Sequence, residues 1–145
     1  MLPVRIVIAG TPVAKGRPKI GMGGHGRPVA YTPAKTRQYE SEVKFHAVRE
    51  MAGRPPMDCP VRMHVIVYVP LPKSLSKRKR DLALGGFIYP AKRPDLDNFL
   101  KASLDGINQI VVSDDARVVS LTARKLYSLQ PRLDILIEPI AEDAA

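Results

Sequence analysis

The stretch from Val61 to Val69 limits the fold more than any other. It is dense in β-branched side chains and is stopped by Pro70 and Pro72, so it reads as a strand. The apolar stretch it opens, Val61 to Leu71, is interrupted by Arg62, His64 and Pro70 and is too short to span a bilayer. Val4 to Ala9 alternates in the same way and reads as a first strand, closed by Gly10-Thr11-Pro12. Thr32-Pro33 predicts a helix start, hydroxyl cap then proline. Tyr39, Val43, Ala47 and Met51 then recur every four residues, with Val48 widening the stripe, until Gly53 and Pro55 end it. His46 sits beside that stripe with no second histidine at helical spacing, which makes it a boundary residue rather than a ligand.

Phe87 to Pro90 suits a short extended piece, and Ile110 to Val112 a brief strand or edge. Val119, Leu121, Ala123 and Leu126 lie in a strand running to about Tyr127, and Gln130-Pro131 turns the chain into a last strand, Leu133 to Ile137. The last two strands are expected to form a hairpin, and the tail from Ala141 to Ala145 to fray. With 145 residues, 45% of them hydrophobic, one domain with a real core is expected across the chain. The fold class is α+β: a mixed sheet of about five strands with two main helices packed on it.

A net charge of +9 points to a polyanionic partner, nucleic acid ahead of an anionic membrane surface. The membrane is the weaker choice because the basic run has no large apolar face beside it. Cys59 stands alone, which excludes a disulfide framework and a cysteine zinc site. Met1 to Arg5 lacks the apolar core of a signal peptide, so a soluble, cytoplasmic protein is expected.

Against that basic background the stretch Lys92-Arg93-Pro94-Asp95-Leu96-Asp97-Asn98-Phe99-Leu100-Lys101, followed by Ser113-Asp114-Asp115, is out of character. Asp95 and Asp97 flank one residue at a helix entrance; in an extended segment both side chains would face one way. Asp97 is placed to cap the helix, because Pro94 disfavours helix before it. Leu96, Leu100, Leu104 and Ile107 give the buried stripe, while Asp97, Lys101 and Asp105, with Asn108 near the end, form a polar column. Asp115 is expected to return to the same point. Carboxylates so placed suit magnesium, which takes carboxylate oxygens plus waters and can activate water against a phosphodiester. Lys101 is placed to reach the scissile phosphate or the attacking water.

Each residue alone has an ordinary explanation: a cap, a surface i,i+4 pair of Lys101 with Asp105, a turn at Asp114-Asp115. In a basic chain those explanations must coincide, and a metal-dependent DNA endonuclease accounts for them together. Lys15-Gly16-Arg17-Pro18-Lys19 with the glycines from Gly21 to Gly26 reads as a phosphate-contacting loop. Lys73-Ser74-Leu75-Ser76-Lys77-Arg78-Lys79-Arg80 reads as a short helix, capped by Ser74 or Ser76, with a cationic face toward phosphates.

Arg93-Pro94-Asp95-Leu96-Asp97-Asn98, Lys101, Asp105 and Asp114-Asp115 closely resemble the signature of the RusA family of Holliday-junction resolvases. Gly10-Thr11-Pro12, Lys15-Gly16-Arg17-Pro18 and Tyr31-Thr32-Pro33 resemble that family's opening. The resemblance implies a magnesium-dependent homodimeric endonuclease, bacterial or phage-encoded, acting in DNA recombination and repair, with Mn2+ as a possible substitute. It implies paired symmetric nicks in four-way junctions. By motif, Asp95, Asp97 and Asp115 would be metal-binding catalytic carboxylates and Lys101 the catalytic lysine. Asp114 can exchange roles with Asp115, and Asn98 and Asp105 would support. The expected DNA contacts are Lys15, Arg17, Lys19, Lys73, Lys77, Arg78, Lys79, Arg80 and Arg93. Paired cuts independently suit a C2 dimer. The competing expectations are a flap, fork or general DNA nuclease with the same acidic site, and a non-catalytic DNA-binding protein.

Overall fold

The computed structural model describes residues 2–142, so 143–145 of the tail expected to fray lie outside the described residues. In chain order the elements are β1 (Val4–Ala9), β2 (Lys19–Met22), β3 (Pro28–Tyr31), α1 (Ala34–Met51), β4 (Val61–Val69), α2 (Lys77–Leu84), α3 (Leu96–Ile107), β5 (Val118–Tyr127) and β6 (Arg132–Pro139). A 3-10 turn, Asp115–Arg117, precedes β5. The α+β class is borne out, with a four-stranded mixed sheet in the order β1-β6-β4-β5 and a separate two-stranded sheet, β2-β3.

Alternation decides which face of the large sheet is dry. Val4, Ile6 and Ile8 of β1, Met63, Val65 and Val67 of β4, and Leu133, Ile135 and Ile137 of β6 are all buried. The stripe Tyr39, Val43, Ala47 and Met51 of α1 and Phe99 and Ile107 of α3 share that core. The other face is polar at its seams: Arg5 donates to both oxygens of Asp134 at 3.1 and 2.6 Å. On the same face the Arg132 guanidinium lies 3.8 Å above the Tyr68 ring.

Several expectations are corrected. β5 and β6 do not pair with each other; β4 lies between them, parallel to β5 and antiparallel to β6. The Ser128 N–H donates to the Val69 carbonyl at 3.0 Å, which carries the connection across the end of β4. Gln130-Pro131 encodes a reversal but not the strand that the returning chain joins. The N-terminal cap of α1 is Pro33, with no side-chain hydrogen bond, so Thr32 does not cap it. Val48 is 58% exposed and lies off the stripe. Phe87 to Pro90 forms no strand, and Val112 makes only isolated bridges to Met57 and Asn108. Part of the glycine-rich loop is instead the β2-β3 hairpin.

α3 starts earlier than expected. Asp95 occupies its N-cap position with extended backbone, and Asp97 lies inside the first turn, where a carboxylate still favours the helix dipole. The buried face is centred on Phe99, Ala102, Ser103, Gly106 and Ile107; Leu96, Leu100 and Leu104 flank it, half-buried. Gly106 is required by packing, since a Cβ there would overlap the Val43 side chain of α1. The two helices therefore cross at close range, which fixes α3 and its polar column relative to the sheet.

Candidate active site

The N-terminal end of α3 opens into a cleft of about 610 Å3 between the Ala14–Arg17 segment and residues Arg93–Asn98. Its walls bring Arg17 and Arg93 to Asp95, and all three are exposed. The Asp95 carboxylate has no side-chain cap bond, and Asp97 lies 3.7 Å from Lys101, with both side chains more than half exposed. A more apolar hollow of about 300 Å3, at Leu2, Met51, Pro55 and Met57, holds no carboxylate, and its Arg54 already donates to the Leu2 carbonyl.

The cleft is built by three ties. The Lys15 N–H donates to the Asn98 backbone carbonyl at 3.0 Å, and the Gly16 N–H donates to the Thr36 hydroxyl at 3.0 Å. The Lys15 ammonium binds Asp105 and lies 3.7 Å from Glu40. Hydrogen bonding to Asp105, opposed by partial burial, holds the Lys15 pKa above its ordinary value. The contact of Lys15 with Glu40 is a charge contact rather than a hydrogen bond, since the Glu40 Oε1 is buried without a hydrogen-bond partner among the described residues.

On the opposite wall the Lys125 ammonium donates to the carbonyls of Lys92 and Pro94 at 2.7 and 2.9 Å. Lys125 thus pins the backbone just before Asp95 onto β5. It pairs in register with Val67, and Ala123 with Val65, so this lysine stands at a position of core-facing parity. That breach of alternation was the readable signal for a residue that sequence reasoning missed. Glu40 and Thr36 were also missed; nothing in the α1 pattern sets them apart from ordinary helix polar positions.

Beyond the C-terminal end of α3, the Asn108 side-chain oxygen accepts the Asp115 N–H at 3.0 Å, and Asp114 accepts the Ala116 N–H at 3.0 Å. The two adjacent carboxyls divide their titration. The Ala116 N–H, then the bond to Asp115, holds Asp114 below its ordinary value; the bond to Asp114 pushes Asp115 up. The nearby charge of Asp105 also raises Asp115, which places Asp115 in the field of that end of the helix.

The expected column is therefore divided. Asp95 lines the cleft, Asp97 and Lys101 stand exposed beside it in the first turns of α3, and Asp105 is bound by Lys15 rather than paired with Lys101. Asp97 and Asp105 are separated by about 12 Å of helix rise. Among the described residues no three His, Cys, Asp or Glu side chains form a ready cage for a metal ion. The donor set still fits magnesium, which commonly takes one or two carboxylates and completes its shell with water and phosphate. Asp95 and Asp97 are acceptor-only, exposed and loosely held, as such a ligand pair must be.

Of the expected phosphate contacts, Lys15 is committed internally. Arg17, Lys19 and Arg93 are exposed and form no ion pair among the described residues. Ser76, not Ser74, caps α2, accepting the Lys79 N–H at 3.3 Å. Lys73, Lys77, Arg78, Lys79 and Arg80 are all exposed. No described helix is long and apolar enough to cross a membrane.

Comparison with known proteins identifies the family. The family described as endodeoxyribonuclease RusA matches residues 9–138, a span that holds both walls of the cleft and the whole of α3. The chain is also similar to the uncharacterized protein YqaN of Bacillus subtilis (strain 168), 35% identical over 142 residues, covering 95% of this chain and 97% of that protein. A match over nearly the entire chain places it in the RusA endodeoxyribonuclease family.

Proposed function

We propose that the chain is a magnesium-dependent Holliday-junction resolvase: a homodimer that binds four-way DNA junctions and places paired symmetric nicks. The observation that carries the reading is the helix entrance at the cleft, where the loosely held Asp95 lines the same walls as Arg17 and Arg93, neither ion-paired among the described residues, and exposed Asp97 follows in the first turn, in a chain of net charge +9. A metal-free binding module would gain affinity by losing those carboxylates, so their presence argues for chemistry.

Arg17 and Arg93 would bind the phosphate on either side of the scissile bond, bidentate where geometry allows. Asp95 and Asp97 would hold the metal, with Asp115 as the further candidate; Asp114 suits the role less because Ala116 engages it. Magnesium bound there would supply an activated water and neutralise charge on the phosphate. Mn2+ takes the same oxygen ligands and would substitute. Lys101 balances the Asp97 charge before the metal binds and is then free to contact the attacked phosphate. The exposed cations of α2 extend the DNA surface, and two-fold symmetry would present two such clefts to two strands.

The test is cleavage of a labelled four-way junction beside a linear duplex of the same sequence, with magnesium or chelator, for the wild type and Asp97→Asn. Paired, magnesium-dependent nicks confined to the junction, lost in Asp97→Asn while binding persists, are expected. Equal cutting of duplex would make this a general DNA nuclease. Tight binding with no cutting under any metal would make it a binding protein.

A further inference from the structure

The β2-β3 hairpin belongs to neither the core nor the cleft. None of its residues joins the hydrophobic core, and its strands pair only with each other. A two-stranded sheet this short is marginal in water unless something covers it. Register puts Ile20 opposite Ala30 and Met22 opposite Pro28, so those four side chains share one face. That face is bare: Ile20 is 76% exposed and Met22 75%, and Pro28 and Ala30 are exposed too. The other face is self-covered in part, with the Tyr31 ring packed over Gly21.

Charge identifies the occupant. No carboxylate occurs between Met1 and Glu40, whereas Arg17, Lys19, Arg27, Lys35 and Arg37 lie in or beside the hairpin in the sequence. A second copy docked hairpin to hairpin would press these cations together, while a polyanion would neutralise them. The hairpin also continues directly from Arg17, which lines the cleft, and its root is tied down by the Gly16 bond to Thr36. Apolar side chains such as Ile, Met and Pro on a cationic support are the kind that wedge between bases and unstack them.

We infer that this hairpin is a nucleic-acid arm whose Ile20–Met22–Pro28–Ala30 face packs on base surfaces left unstacked at a branch point. The inference rests on the four-way junction reading above and adds to it a device for holding the branch open. Lys19 and Arg27 grip the flanking phosphates, and the apolar face replaces the stacking lost at the exchange point.

The experiment uses full-length protein in chelator, so that nothing is cut. Two probes carry 2-aminopurine, whose fluorescence rises on unstacking: a four-way junction labelled at the branch, and a duplex labelled at a single unpaired base. The wild type should raise the fluorescence of the bound junction severalfold. The double variant Ile20→Ala, Met22→Ala should lose most of that rise. Its affinity should fall by less than about tenfold, because phosphate contacts supply most of the binding. Met22→Leu, which keeps the apolar area, should retain the signal, and sedimentation should give the variants the wild-type mass.

A full fluorescence rise from the bound double variant would overturn the arm. So would a wild type that binds both probes and unstacks neither. A variant that halves in mass would show that the face joins two copies instead. A wild type that prefers duplex to junction would sink the substrate reading alone, and the unpaired-base probe would still decide the arm.

Discussion

At its N-terminal end α3 leaves Asp95 without a side-chain partner among the described residues and Asp97 3.7 Å from Lys101, both open to solvent. Toward its C-terminal end the same helix binds Asp105 to Lys15, and Asn108 holds the backbone of Asp115. The residue types are alike and their treatment is opposite. Carboxylates meant to exchange water for a ligand must stay loosely held, since every internal bond has to be broken before binding. Carboxylates that shape the cleft are bound already. One helix thus separates a reactive end from a structural end, and substitutions at the two should fail in different ways.

The sharpest contrast is between Asp95→Asn and Asp105→Asn. Asp95→Asn should lower cleavage by a factor on the order of 10³ or more, because several kcal/mol of charge stabilisation go with the ligand. Its Tm should stay near wild type, and junction affinity should hold or rise. Asp105→Asn should instead leave Lys15 with only its longer contact to Glu40, lower Tm by several degrees and weaken cleavage through a loosened cleft wall. Steady-state kinetics beside thermal melts would test this, and identical profiles for the two variants would remove the distinction between the ends.

Lys101→Ala should come next in size. A lysine that meets the phosphate only as charge develops contributes to turnover, so kcat should drop on the order of 10²-fold while the junction Kd moves by less than threefold or so. An affinity loss that matches the rate loss would reduce Lys101 to a ground-state phosphate contact.

The Lys15 staple gives a smaller, pH-dependent effect. Its pKa is raised in the folded protein above the ordinary 10.5, chiefly by the hydrogen bond to Asp105. The pair's contribution is therefore complete below about pH 10.5 and is lost as pH climbs through the higher folded value. Lys15→Met should cost about 1–2 kcal/mol at neutral pH, between exposed and buried pairs. The wild-type advantage over Lys15→Met should shrink above pH 10.5; a constant gap would mean that packing of the lysine stem, not charge, holds the loop.

Much of this was legible in the sequence because periodicity and punctuation encode it. Val61–Val69 is a strand with the limits its prolines set, and Tyr39, Val43, Ala47 and Met51 are buried as their spacing requires. The acidic motif was visible because it opposes the charge of the whole chain. Pairing was not legible: a turn at Gln130-Pro131 says that the chain reverses, while burial of β6 on both sides decides its neighbours. Nor was Asp105, since the cation that claims it lies 90 residues away, and helical spacing reports only local candidates. The start of α3 was misjudged by two residues, because Asp95 and Asp97 satisfy the composition of a cap equally well.

The adjacent acids test the comparison most finely, because they sit where the structural end of α3 meets the candidate third ligand. Asp114 is lowered chiefly by the Ala116 N–H, and Asp115 is raised chiefly by its bond to Asp114. For Asp115 the raised folded value means that its ionised form is disfavoured, so its contribution to stability is lost as pH rises through that value; Asp114 works in the opposite sense. In Asp114→Asn the neighbouring negative charge disappears, and Asp115 should titrate closer to the ordinary carboxylate value of 3.8. Carbon-detected NMR of the side-chain carboxyls in metal-free protein would follow this directly. A downward move of Asp115 shows that Asp114 sets its readiness to ionise. An unchanged titration would transfer that control to Asp105, and the supposedly structural end of the helix would then be tuning a group of the reactive one.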